Sequence, residues 1–144
     1  MISTVEKVLF LKSIDLFRHI PGEDLVRVAQ ITEEMQLDTG EALLTEGEPG
    51  DSLYLIVAGK VRVEKSGQTI TELGQRECVG EMSILDSEPR SATVRALEPV
   101  TVLKIEREDF YDLLNEKIEI AQGIIKVLTR RLRKTTGARE PTVS

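Results

Sequence analysis

A mainly β fold with helices at both ends is what this sequence predicts, on two changes of hydrophobic period and on the spacing of its turn residues. Helical spacing holds over roughly the first forty residues. It gives way to short apolar runs from about Met35 to Ile105 and returns after Glu106. Glycine, proline and acidic residues bound these runs, the pattern of an antiparallel sandwich or jelly roll. At 144 residues the chain suits one compact domain.

Ser3-Thr4-Val5-Glu6 has the spacing of a capping box, and Val5, Val8 and Leu9 follow at helical intervals. Ser13-Ile14-Asp15 breaks that helix. Pro21-Gly22-Glu23-Asp24 opens a second, carried by Leu25, Val26, Val28 and Ala29, with Glu33-Glu34 expected as a solvated pair at its end. Strands are expected at Ala42–Leu44, Leu53–Val57, Val61–Glu64, Thr69–Thr71, Ala92–Ala96 and Val100–Ile105. Phe110, Leu113 and Leu114 then mark a short helical face. Ile118, Ala121, Ile124, Ile125, Leu128 and Leu132 mark a longer stripe, which either packs on the sandwich or pairs with a second subunit. The domain is expected over residues 1–136, with 137–144 as a flexible tail.

Hydrophobic residues make up 40% of the chain and aromatics only 3%, so a core is affordable but must consist mainly of Leu, Ile, Val and Ala. No apolar run approaches the roughly 18 residues that would span a bilayer. The start, with Glu6 and two lysines in a short apolar stretch, does not fit a signal peptide. A single cysteine, Cys78, excludes an internal disulfide and suits a reducing cytosol. It reads as a small apolar residue rather than a thiol sensor. With one histidine, His19, read as structural or surface, the chain offers neither a His-rich metal site nor Ser-His or Cys-His catalysis. Ser83 stands outside a G-x-S-x-G elbow. Net charge is −6, yet the last fifteen residues hold Arg130, Arg131, Arg133, Lys134 and Arg139 against Glu140. The remainder carries 14 basic and 24 acidic residues, a net of −10, and repels polyphosphates at long range. The basic end reads as a solvated helix terminus, where cations offset the macrodipole.

One stretch, residues 79–94, reads as neither ordinary strand nor turn. Met82 to Leu85 is long enough for one helical turn, whose N–H groups would suit an anion, and Gly80 permits an unusual torsion just before it. Pro89 fixes the approach to Arg90, whose guanidinium matches phosphate oxygens. Glu81 supplies a carboxylate suited to sugar hydroxyls, and Ser91 a further donor. By chemistry alone these parts fit either a phosphorylated ribose or a plain Glu81–Arg90 ion pair bridging a loop.

The same stretch, VGEMSILDSEPRSATVRA, resembles the phosphate-binding cassette of cyclic nucleotide-binding domains, as found in catabolite activator proteins and protein kinase A regulatory subunits. That cassette runs F-G-E-x-(A/S)-L-L, a spacer, then P-R-x-A-T-V-x-A. LTEGEPGDSLYLIVAGKVRV is similar to the family's second signature, and Ser13-Ile14-Asp15-Leu16-Phe17 to its entry segment. The resemblance covers nearly the whole chain. It implies an antiparallel β jelly roll (double-stranded β-helix) with N-terminal helices, a short cassette helix and C-terminal helices. It also implies that Glu81 holds the ribose 2′-hydroxyl and Arg90 neutralises the cyclic phosphate. Gly80, Met82 and Ser83 would approach the ribose phosphate through backbone groups, and Ser91 and Ala92 match the two positions after the arginine. Threonine directly after that arginine often accompanies cGMP preference in the family. Serine leaves both purines open, with cAMP expected ahead of cGMP. Three departures stand out. Val79 replaces the usual Phe or Ile, Arg76 stands where a turn glycine is common, and little helix is expected after Arg133 to cover the base.

The function so implied is a cytoplasmic regulatory sensor that binds cAMP or cGMP and signals through its C-terminal helices. It would need no cofactor, metal or catalytic residue. No membrane span or nucleic-acid contact by this chain alone is expected. Its output would lie in another protein or a larger fused chain, and homodimerisation would use the last helix. The alternative is a degenerate domain of the same fold that serves as a protein-interaction or dimerisation module.

Overall fold

Ser3 starts the first helix, α1 (Thr4–Lys12), with both halves of the capping box formed: its hydroxyl accepts the Glu6 N–H, and the Glu6 carboxylate accepts its own. The computed structural model describes residues 1–81 and 88–139. A 3₁₀ turn (Asp15–Phe17) follows, then α2 (Gly22–Gln30), which has Glu23 and Asp24 at its positive end. Leu11, Ile14, Leu16, Phe17, Leu25 and Val28 from these elements are buried.

Among the described residues, eight strands make two four-stranded antiparallel sheets. β1 (Thr32–Leu37), β8 (Val100–Glu106), β3 (Ser52–Ala58) and β6 (Cys78–Val79) form one in that spatial order. β2 (Ala42–Leu44), β7 (Thr93–Ala96), β4 (Val61–Lys65) and β5 (Gln68–Leu73) form the other. This is the expected antiparallel jelly roll with flanking helices. The short cassette helix expected at Met82–Leu85 lies outside the described residues.

Two cores share the first sheet. Tyr54, Ile56, Val100 and Val102 point between the sheets, with Leu37, Leu44, Val61, Val79, Val94 and Ala96. Their strand neighbours Leu53, Leu55, Leu103 and Ile105 point the other way, into the helices. Because both faces are covered, β3 and β8 read in sequence as continuous apolar runs rather than alternations. β4 and β7 are covered on one face, and Val61-Arg62-Val63-Glu64 alternates accordingly.

Glu33 and Glu34 do not end a helix. They lie in β1, paired with Lys104 and Leu103, and Glu34 accepts the Ile2 N–H at 2.8 Å. The β period therefore begins at Thr32, where the side-chain hydroxyl caps Ala29 O and turns the chain out of α2.

After β8 come α3 (Arg107–Glu116) and α4 (Ile118–Arg139). Ile120, Ile124 and Val127 bury one face of α4 in the helical core, while Ile118, Ile125 and Leu132 are more than half exposed. The sequence stripe is thus two stripes. Gly123 allows the close approach, since a Cβ there would stand 2.9 Å from His19 O. Arg131 fastens the far end, its Nη2 lying 3.0 Å from Asp15 Oδ2. The helix runs past Arg133 to Arg139, further than expected, and takes in residues 137–139 of the proposed tail.

Candidate functional site

A chain reversal at Gly80 shapes the site. Gly80 ends β6 with φ of +85°, a left-handed conformation that suits glycine. A Cβ there would also sit 2.6 Å from Arg90 Nη1 and 3.0 Å from Ser52 O. The position is therefore glycine for two reasons, torsion and room for the guanidinium.

Arg90 is 6% exposed. Its backbone is pinned to the preceding turn, with its N–H on Glu48 O and its carbonyl accepting from Gly47 N, both at 2.9 Å. Its Nη2 donates to Ser52 O at 2.9 Å and its Nη1 to Gly80 O at 3.3 Å. Among the described residues no carboxylate stands within ion-pair distance of it, so the alternative of a Glu81–Arg90 bridge is not what forms. Burial lowers its pKa from the usual value, Tyr54 and Asp51 oppose that, and Arg107 adds to it. An arginine remains protonated through such changes. Among the described residues, the cation is held by carbonyl dipoles alone, an arrangement that favours an incoming anion.

The guanidinium faces a cleft of about 260 Å³ that Gly80, Glu81, Ser91 and Ala92 also line. Glu81 is half-buried and Ser91 exposed at the rim. The rest of the lining is mainly apolar, with Leu73, Cys78 and Val79 beside four residues of one cross-strand row. Leu44 pairs with Val94, Val94 with Val63, and Val63 with Thr71, across β2, β7, β4 and β5. A cation and a carboxylate at one end of an apolar row suit a ligand with an anion, hydroxyls and a flat apolar part. Behind the cation, Ser52 Oγ donates to Tyr54 OH at 3.2 Å. The hairpin entering β6 turns at Arg76, which takes φ of +75° where glycine would be unstrained.

The family model described as cyclic nucleotide-binding domain matches residues 34–117, more than half of the chain. The chain belongs to that family. The CRP-like cAMP-activated global transcriptional regulator of Mycobacterium tuberculosis is 31% identical over 122 residues, which cover 79% of this chain and 54% of that protein. The cyclic AMP receptor protein of Thermus thermophilus is 33% identical over 129 residues, covering 86% and 60%. The solved N-terminal domain of a transcriptional regulator from Streptomyces coelicolor superposes with a TM-score of 0.82 at 34% identity, covering 90% of this chain and 94% of that one. The chain spans a little over half the length of these two curated relatives.

In this cyclic nucleotide-binding domain, five of the seven residues singled out in the sequence line one cleft: Gly80, Glu81, Arg90, Ser91 and Ala92. Met82 and Ser83 lie outside the described residues. Sequence reasoning missed Leu44, Val63, Thr71, Leu73, Cys78, Val79 and Val94 as cleft residues. It also missed Ser52, whose carbonyl receives Arg90. Strand alternation carries the signal for Val63 and Val94, but only once the pairing of β7 with β4 is known.

Proposed function

We propose that this chain is a cytoplasmic regulatory sensor that binds a cyclic nucleotide, cAMP ahead of cGMP, and passes binding to its C-terminal helices. The observation that carries the reading is Arg90, a buried cation without a carboxylate partner among the described residues, in a cleft it shares with Glu81. The cyclic phosphate would take the guanidinium and the ribose 2′-hydroxyl would take Glu81, with Met82 and Ser83 assigned by resemblance to the adjoining backbone contacts. The purine would lie along the apolar row. Two relatives whose names specify cAMP support that preference. Binding of this kind involves no bond-making step, so the domain acts as a regulator and not a catalyst. No described helix is long and apolar enough to cross a membrane.

The exposed side of α4 supports a homodimer. Ile118, Ile125 and Leu132 recur every seven residues, with the half-buried Ala121 and Leu128 between them, the a and d spacing of a two-stranded coiled coil. The output would then be read from the paired helices by another protein or another part of a larger chain.

Calorimetry with cAMP and cGMP tests the reading. Ligand at a hundredfold excess over Kd should stabilise the fold by about 2.7 kcal/mol. Neither heat nor thermal shift with either nucleotide at millimolar concentration would discard the sensor and leave an interaction module of the same fold.

A further inference from the structure

The face of α4 that the helical core leaves uncovered is divided lengthwise. Ile118, Ile125 and Leu132 run down its middle, each more than half exposed. Glu119, Lys126 and Arg133 each follow a seam residue by one position and lie along one flank, all three exposed. Ala121, Leu128 and Thr135 each follow by three positions and lie along the other flank, which carries no charge. The charged flank changes sign along its length, from Glu119 near the start of the helix to Arg133 toward its end. Among the described residues, Glu119, Lys126 and Arg133 enter no ion pair, whereas Glu116, Lys117 and Arg131 nearby are held by Arg27, Asp24 and Asp15.

We propose that a second copy of this chain covers this face, with the two α4 helices running antiparallel. The inference deepens the homodimer reading of α4 and rests on it. In a parallel pair opposite flanks meet, because the two-fold axis runs along the helices. The charged flank of each copy would then lie against Ala121 and Leu128 of the other. In an antiparallel pair the axis crosses the helices and like flanks meet, charged on charged and apolar on apolar. With the axis beside Ile125, Ile118 of one copy stands by Leu132 of the other. Glu119 stands by Arg133 in the same way, since each lies seven residues from Lys126. Two symmetric ion pairs and an apolar strip of Ala121 and Leu128 form together, and flanking charges of this kind set helix orientation. Parallel pairing would instead set Arg130, Arg133 and Lys134 of both copies side by side, where like charges repel. Lys126 meets its own copy near the axis, a cost confined to one position whose long stem can carry the charge out to water.

The test is disulfide cross-linking of the full chain in a Cys78→Ala background, after thermal melts confirm that each variant is folded. Ile125→Cys should form covalent dimers. Leu132→Cys alone should not, but it should cross-link when mixed with Ile118→Cys, and the mass of the product identifies the mixed pair. Self-cross-linking of Leu132→Cys without the mixed product overturns the antiparallel arrangement and leaves a dimer through α4 standing. A monomeric wild type by light scattering at tens of micromolar overturns both. A dimeric wild type in which none of these variants cross-links places the interface elsewhere and also overturns the proposal. A second measurement keeps Cys78 and the seam intact. Glu119→Lys should weaken dimerisation about two- to thirtyfold, the range for two exposed ion pairs. Arg133→Glu in the same chain should restore it by reversing both partners. A double variant that dimerises no more tightly than Glu119→Lys overturns the pairing. Both measurements run without nucleotide, so neither depends on cAMP binding.

Discussion

Replacing Arg90 by methionine separates what this residue does for the fold from what it does for the ligand. Methionine keeps an unbranched stem and removes the charge and two hydrogen bonds, those to Ser52 O and Gly80 O. Hydrogen bonds from a charged donor contribute about 1.5–3 kcal/mol each, so the gross loss is about 3–6 kcal/mol. Against it stands the desolvation of a guanidinium that is 6% exposed and has no carboxylate partner among the described residues. That penalty is several kcal/mol for one buried ion. The two nearly cancel, and the free variant should unfold within about 1.5 kcal/mol of wild type in urea. Binding should behave otherwise, since losing the partner of a buried phosphate costs about 2–5 kcal/mol. At a cAMP concentration that stabilises wild type by about 2.7 kcal/mol, the variant should gain less than about 0.9 kcal/mol. Urea denaturation with and without cAMP reads both quantities. A ligand-dependent gain equal to that of wild type would remove Arg90 from the site. A loss of more than about 3 kcal/mol in the free protein would make it a structural strut and refute the cancellation argued above.

Three further outcomes follow from other parts of the molecule. Gly80→Ala combines left-handed strain of about 1–2 kcal/mol with a methyl group in the guanidinium's place, so urea unfolding should show the strain and cAMP binding should weaken severalfold; unchanged affinity would contradict the close approach. Ile125→Lys, in the middle of the exposed seam of α4, should convert a dimer seen by light scattering into a monomer with an unchanged melting temperature extrapolated to low protein concentration. A monomeric wild type at tens of micromolar would remove the seam as a dimer face. For pH, the His19 pKa is lowered from 6.5, by burial first and then by Arg130, Arg18 and Lys126, with Asp15 opposing. The unfolded chain therefore binds more protons below about pH 6.5, and the fold loses stability as pH falls through that window. His19→Gln should remove this part of the acid dependence in denaturant titrations from pH 7 to 5, and identical profiles would show that His19 does not contribute.

How much of this was legible in the sequence depended on whether a feature is local. The anion end of the cleft is local: Gly80, Glu81 and Arg90 fall within one short segment, and residue types alone suggested a cation, a carboxylate and a permissive backbone. The apolar row is not, because Leu44, Val94, Val63 and Thr71 come from four strands and meet only through register. β1 was half hidden for a related reason. Glu33 and Glu34 look like a solvated helix end, but cross-strand pairing with Lys104 and Leu103 overrides their weak strand preference. β6 is two residues long and too short for any periodicity. In α4 the apolar positions were visible, yet one stripe of a 3.6-residue helix and one seam of a 3.5-residue repeat interleave in the same letters. Burial was needed to assign Ile120, Ile124 and Val127 to the core and Ile118, Ile125 and Leu132 to the open face.

The proposed transmission has a physical route in the segment that receives Arg90. Ser52 O accepts the guanidinium, and the next residue, Leu53, is fully buried in the helical core. One residue earlier, Asp51 O accepts the Arg107 N–H at 2.8 Å, and the Arg107 guanidinium bonds Gly50 O. Arg107 is the first residue of α3. The turn Gly50-Asp51-Ser52 is therefore gripped from one side by the cassette and from the other by the helix that leads into α4. Of the five guanidinium N–H donors, the bonds to Ser52 O and Gly80 O engage two, so a phosphate arriving at Arg90 binds a cation that also holds this turn. Any shift of the guanidinium toward the ligand pulls on that turn, which has little slack because Ser52 also pairs with Glu106 in the β3–β8 ladder. Interdigitated cores shift between discrete packings rather than deform smoothly. The acidic body fits this scheme. With a net of −10 outside the last fifteen residues, long-range attraction cannot gather the anion, so the binding energy is concentrated on the one side chain that also holds the turn. A sensor that drew its ligand in by diffuse charge would lack that link between capture and movement.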